Sequence, residues 1–306
     1  MNVADRTHLM AERAFLQSRL AELPEDALLT RMSAASKLQA VDQELARLPE
    51  REPARLKLTF NGRPVIRSHG IFADFGMKAV NAFTEAVAAV AASLTAPLAL
   101  MGPIPNRDQH QMLITSTAVG SFGFELEEHG NGQLPLDEQS AVQLAIERTQ
   151  SLLSGSIASD DEQLADAATD LDRRALDKVR AFVATLADNE AVCALQYGSQ
   201  AFRFKSIGQV REALQRLSTD NLFENERQLQ GYFEGALPHR RTFEFKLADS
   251  EEIIVGKIAP SIQDPSKIND HLHDRVTVSV METRVGNGRP RYLLQALPWS
   301  EELLSR

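Results

Sequence analysis

The chain has 306 residues, 43% of them hydrophobic and 25% charged, and a formal net charge of -9. At about 100–200 residues per domain this leaves room for two domains. The acidic balance excludes a molecule that as a whole attracts nucleic acid or an anionic membrane. The single cysteine, Cys193, excludes an intramolecular disulfide and a cysteine-rich zinc cage. It points to a reducing, cytoplasmic compartment.

The first ten residues mix Asp5, Arg6 and His8 and lack the apolar core of a secretory signal. Leu9, Leu16, Leu20 and Leu23 share one helical face. After Pro24 the pattern restarts, with Ser33 as the expected N-cap and Leu38, Val41, Leu45 and Leu48 as a second stripe. Two helices with a short break predict a helical hairpin over residues 1–50. Its apolar stripe must be buried, either on the chain's own body or on a partner. The seven-residue recurrence favours a homodimer through this arm. Pro49 to Pro53 reads as a linker.

A central α/β domain is expected over residues 54–220. Leu56, Leu58 and Phe60 alternate as a strand, Asn61-Gly62 signals a hairpin, and Val65 to Ile71 is the expected return. Asp74 is the expected cap of a helix burying Val80, Phe83, Val87, Val90 and Leu94. The stretch from Ala86 to Asn106 carries no charge and is long enough to span a bilayer at about 20 residues. Pro97, Gly102, Pro103 and Pro105 break it, so a buried helix followed by a loop is expected, and no membrane partner. Met112, Ile114, Ala118, Phe122, Phe124 and Leu126 keep one register, as in a long strand bulged at Gly120. Two helices are expected next. The second opens at Ser159-Asp160-Asp161-Glu162, a capping-box pattern, and runs on through Leu164, Leu171, Val179, Phe182 and Leu186. Strands at Val192–Tyr197 and Ala201–Lys205 and a short helix through Val210 and Leu217 complete the domain.

Residues 226–300 predict a small β-barrel. The five expected strands are Leu229–Leu237, Thr242–Leu247, Ile253–Ile258, Arg275–Arg284 and Arg291–Leu297, with a short helix at Ser266–His273 after the third. That order is OB-like, with an SH3-like barrel as the alternative. The fold class expected is therefore α+β.

The helical arm, the Gly120-Ser121-Phe122-Gly123-Phe124-Glu125 strand and the Gly235-Ala236-Leu237-Pro238…Phe243-Glu244-Phe245 barrel segment resemble a set of uncharacterised bacterial proteins over most of the chain. The resemblance implies a bacterial, cytoplasmic protein and supplies no catalytic residues.

Catalytic motifs are weak. A hydrolase elbow needs Gly-x-Ser-x-Gly, and Ser121 follows Val119-Gly120 instead. A nucleotidyltransferase would pair Gly120-Ser121 with metal-binding carboxylates, for which Glu125 and Glu127 sit on one strand face. Those enzymes place aspartates a helical turn away, so a nucleotidyltransferase-like or metal-dependent enzyme ranks last. Asp270-His271-Leu272-His273-Asp274 is the most metal-like cluster, but zinc needs further ligands at about 2.0–2.2 Å and nothing selects them. No metal and no cofactor is expected, and no catalytic residue is assigned.

The barrel loops are more informative. In OB barrels the ligand meets strands two and three and the loops 1–2 and 4–5. Here those loops carry His239, Arg240 and Arg241, and Arg289 and Arg291. A guanidinium fork suits phosphate, and Phe243, Phe245, Tyr232 and Tyr292 are candidates for stacking. The expected function is therefore a non-enzymatic binding protein whose basic loops contact nucleic acid or a phosphate-bearing ligand. The alternative is a protein-interaction adaptor, antitoxin or defence-system subunit acting through the helical arm.

Overall fold

The structure, a computed structural model, describes residues 3–24, 27–47, 53–99, 101–118, 122–129 and 139–299. It is a mixed α+β protein with a closed five-stranded barrel. The chain divides into two compact units, Met1–Ala54 with His129–Gln139 and Arg55–Glu128 with Ser140–Arg306.

The first unit holds α1 (Val3–Glu22) and α2 (Leu28–Arg47). They contact each other, with Arg13 Nε 2.8 Å from Asp42 and Arg31 Nη1 donating to the Leu23 carbonyl at 2.7 Å. Leu16, Ala34 and Val41 are buried. Ser33 is not the cap expected, because α2 already starts at Leu28. Leu29, Arg31 and Met32 favour helix and carry it through the serine. Residues 49–52 of the expected linker lie outside the described residues.

The second unit opens with β1 (Arg55–Gly62), the short strands β2 (Val65–Ile66) and β3 (Gly70–Ile71), and α3 (Ala73–Ser93). The segment Val65–Ile71 does not return along β1 as expected. Both edges of β1 are taken, by strands formed later in the chain, so β2 and β3 pair only with each other. The N-cap of α3 is Phe72 and has no side-chain cap bond, so Asp74 lies in the first turn instead. α3 ends at Ser93, and no helix among the described residues is long and apolar enough to cross a membrane.

The long strand expected over 112–126 is two strands, β4 (Met112–Ala118) and β5 (Gly123–Glu128), paired antiparallel. The even register continues across the reversal, which is why the pattern hid it. The pairing is irregular between Ile114 and Ser116, and Gly120, where a bulge was expected, lies outside the described residues. Gly123 is required where it stands, since a Cβ there would lie 2.2 Å from the Leu58 carbonyl oxygen.

Next come α4 (Ala141–Ser156), α5 (Asp161–Thr169), α6 (Arg173–Asp188), β6 (Ala191–Tyr197), β7 (Gln200–Arg203) and α7 (Ile207–Arg216). Ser140 and Gln143 form a full capping box on α4. Asp160, not Ser159, caps α5. The helix expected to run from 159 to 186 is broken after Thr169, because Asp172 accepts from the Arg174 N–H and starts a new helix. The strands form a sheet in the order β4-β5-β1-β6-β7. Its inner side chains meet the helices, with Phe60 of β1 edge-to-face on Phe75 of α3 at 5.4 Å.

The barrel is built from β8 (Leu222–Leu237), β9 (Thr242–Leu247), β10 (Ile253–Ile258), β11 (Arg275–Val285) and β12 (Arg291–Leu294), in the closed order β10-β12-β11-β8-β9. β10 and β12 are parallel and the other pairs antiparallel. A short 3-10 helix, Pro265–His271, separates β10 from β11. Strict alternation explains the strands, since one face must fill the interior. Phe233 packs edge-to-face on Phe245 at 5.0 Å and on Phe243 at 5.9 Å. Gly256 makes room for this, because a Cβ there would sit 2.5 Å from the Phe243 ring.

Candidate functional site on the barrel surface

The register of β8, β9 and β10 fixes what the barrel shows on this outer side. Tyr232, Lys246 and Ile253 form one row, Gly235, Glu244 and Val255 the next, and Leu237, Thr242 and Lys257 the third. Directly opposed residues share a face. The intervening rows, with Phe233, Phe245 and Ile254, point inward and are buried. Ile253, Val255 and Leu237 are 54%, 61% and 57% exposed. Phe243 and Phe245 are core residues, so they offer no stacking surface, and Tyr292 packs against the core while half-buried.

The loop residues divide into two kinds. In the loop between β8 and β9, Arg241 adopts a left-handed conformation at φ 51°. Its guanidinium donates to the carbonyls of Ile258, Ala259 and Ile262, the last at 2.7 Å. Burial, with Arg148 close by, holds that guanidinium below its ordinary pKa. Arg241 therefore braces the loop, while its neighbours His239 and Arg240 are exposed and form no ion pair among the described residues. In the loop between β11 and β12, Arg289 is exposed in the same way. Arg291 instead reaches α5, with Nε 2.5 Å from Asp166 and Nη2 3.5 Å from Glu162.

Helix α5 makes a second such contact. Lys257 Nζ lies 2.8 Å from Asp170 and donates to the Asp166 carbonyl at 3.2 Å. Glu162, Asp166 and Asp170 recur at four-residue spacing, which places their carboxylates along one helical stripe. The acidic excess of the middle of the chain, 17 Asp+Glu against 10 Lys+Arg over residues 128–227, thus partly neutralises the barrel's own cations. Arg216 ties the start of α5 down by bonds to the Gly155, Ser156, Ala158 and Asp160 carbonyls and to Asp161. These partners lie far along the chain, beyond what periodicity can show. Nor could the outward Ile253 and Val255 be told from the buried Ile254 in the unbroken apolar run that opens β10.

The other candidate groups lie apart from this surface. Gly120 and Ser121 are outside the described residues. Glu125 and Glu127 each face a cation across the β1–β5 pairing, Lys57 at 3.3 Å and Arg55 at 2.7 Å. His271 pairs with Asp274 at 3.3 Å and lies over the Trp299 ring at 4.2 Å, while His273 turns towards Glu234. Among the described residues no group of three or more His, Cys, Asp or Glu could hold a metal ion. Cys193 is buried, and burial raises its thiol pKa well above the ordinary value. No family model, curated protein or solved structure matches this chain.

Proposed function

We propose that this chain is a non-enzymatic binding protein that recognises another protein through the outer face of β9 and β10, and that its barrel is of the OB type. The strand order supports the OB assignment. β11 lies beside β8, so the first four strands run 4-1-2-3, the Greek-key order. A short helical turn follows the third strand. OB barrels take their ligands on strands two and three, here β9 and β10.

One observation carries the protein reading: Ile253 and Val255 stand exposed in adjacent rows of that face. Beside them on β9, Lys246 and Glu244 give a polar margin of mixed charge. An apolar patch with a polar margin is the anatomy of a protein interface. Nucleic acid is the weaker partner here. Arg241 and Arg291 are engaged within the chain, and each lost phosphate contact removes about 0.9 from the salt slope of binding. The variant Ile253→Ser with Val255→Ser tests this. A partner co-purifying with the full chain should be lost from that variant and kept by Arg240→Ala with Arg289→Ala. The opposite pattern, together with salt-sensitive binding of an oligonucleotide, would assign the face to nucleic acid.

The arm supports a second contact. Phe15, Leu29 and Met32 are 65%, 84% and 68% exposed on α1 and α2. We read these helices as a hairpin that pairs with a second copy, since closed two-fold dimers are the commonest soluble assembly. Light scattering at micromolar concentration should give a dimer mass that Phe15→Ser with Met32→Ser reduces to a monomer. A monomer mass for the unaltered chain would end the dimer proposal.

A further inference from the structure

The second unit contains a cleft of about 400 Å³ between its helices and the barrel. This volume lies within the range of small-molecule sites, about 300–1,000 Å³, and such sites favour the seams between layers. Leu98, Leu171, Met281 and Leu293, with Pro97 and Pro260, supply the apolar part of its lining. The break between α5 and α6 brings Asp170, Asp172 and Arg173 to it, α4 brings Arg148, and β8 brings Glu224 and Glu226.

Most of the carboxylates there are already engaged. Asp170 holds Lys257 at 2.8 Å. Asp172 accepts from the backbone N–H groups of Arg174 at 2.8 Å and Leu98 at 3.1 Å. Glu226 accepts from the Ser279 hydroxyl at 2.7 Å. The cations are not matched in the same way. Arg173 makes no hydrogen bond or ion pair among the described residues, and Arg148 uses one nitrogen on the Asp170 carbonyl at 2.6 Å. The cleft therefore combines apolar lining with guanidinium donors left over. We propose that it binds a small amphipathic anion, an apolar ring bearing a phosphate or a carboxylate, with Arg173 and Arg148 on the anionic group and Leu98, Met281 and Leu293 under the ring. A planar guanidinium fork meets either anion with paired hydrogen bonds.

Glu224 sets the pH at which the site works. Burial pushes its carboxyl up to about 7, against the pull of Arg173 and Arg180 and with the help of Asp172 and Asp177. The charged groups facing it are Arg173, Asp177 and Arg180 on α6, Asp172 at its cap, Arg148 on α4, Asp170 at the end of α5 and Glu226 on its own strand. Below that pH the neutral acid donates to an anion; above it the carboxylate repels one. Anion affinity therefore falls as the pH rises through about 7.

Calorimetric titration of the full chain tests the site, with phenyl phosphate, benzoate and inorganic phosphate as probes at pH 6 and pH 8. At least one ring-bearing anion should bind about tenfold or more tightly than inorganic phosphate, for the apolar area it buries. Tighter binding of phenyl phosphate assigns a phosphate ligand, and tighter binding of benzoate a carboxylate. Arg173→Ala should weaken the better probe about tenfold, the loss of one charge-assisted contact. Arg289→Ala, outside the cleft, should leave it unchanged. Ser261→Trp, at an exposed position of the rim, should block binding by bulk and stands in if the Arg173 variant folds poorly. Benzoate stays ionised across this range, whereas phosphate monoesters titrate near pH 6. Its loss of affinity at pH 8 therefore reads Glu224, and Glu224→Gln should remove that loss. No heat from either ring anion overturns the proposal. So does inorganic phosphate binding as tightly as both, or affinity unchanged in Arg173→Ala and in Ser261→Trp.

Discussion

The side of the barrel that meets α5 and the side formed by β9 and β10 are built from similar strands, yet their charges are used differently. Towards α5, Arg291 and Lys257 are held by Glu162, Asp166 and Asp170. On the β9–β10 side, Ile253 and Val255 are open, and His239 and Arg240 of the loop before β9 are exposed and form no ion pair among the described residues. A cation on a loop is thus not in itself a ligand contact. Its role depends on whether an acidic element of the same chain lies within reach. The first side joins the barrel to its own helices, and the second is left for something else.

The most severe way to break this comparison removes the barrel itself. Phe233 is buried and touches Phe243, Phe245 and Trp299. Phe233→Ala should cost about 3–5 kcal/mol by cavity formation, and a urea melt should show it. Partner capture should then fall together with the integrity of the α5 contact, because both faces depend on one core.

A smaller change separates the two sides. Arg291→Ala removes two ion pairs from a side chain that is only 26% exposed and should cost up to about 1 kcal/mol. Arg289→Ala, two positions earlier and without a partner among the described residues, should stay within about 0.5 kcal/mol of the parent. The ion-pair cost should shrink in high salt. Equal costs for the two arginines would mean that the α5 contact contributes nothing.

The pH dependence of stability gives the most specific signal. The folded-state pKa of Glu224 is raised to about 7, above its unfolded value of 4.5, so its contribution is fully present below pH 4.5. It is lost as the pH rises through the window from 4.5 to about 7. Urea midpoints measured across that window should decline less steeply for Glu224→Gln. His110 acts in the opposite sense. Burial lowers its pKa despite the nearby Glu128, so its stabilisation is present above pH 6.5 and is lost as the pH falls through the lower folded value.

The barrel strands were largely legible in the sequence. Phe243, Phe245 and Leu247 alternate without interruption, as do Val276, Val278 and Val280, and a one-sided core imposes that period. The break between α5 and α6 was not. Leu164, Leu171 and Val179 continue one apolar stripe across it, and only the capping bond of Asp172 reveals the new start. The reversal between β4 and β5 was hidden for a similar reason, because its apolar residues keep one parity on both sides of the turn. Among the candidate site residues, the exposure of His239, Arg240 and Arg289 agrees with their place in polar loops. The fate of Arg291 depends on Asp166, 125 positions away, and that of Arg241 on three carbonyls at and just past the end of β10. Periodicity carries no information about contacts of that range.

The central claim is that the β9–β10 face is the contact surface and the α5 side is not. Photo-crosslinking tests it most directly, with a photoreactive residue placed singly at Thr242, Glu244, Lys246, Ile253 and Val255, and for comparison at Met281 and Leu293 on the cleft side. The same partner protein should be trapped from Glu244, Ile253 and Val255, whose side chains share the exposed rows, and not from Met281 or Leu293. A partner trapped from Met281 and Leu293 but not from Val255 would contradict the account and move the contact surface to the helical side of the barrel.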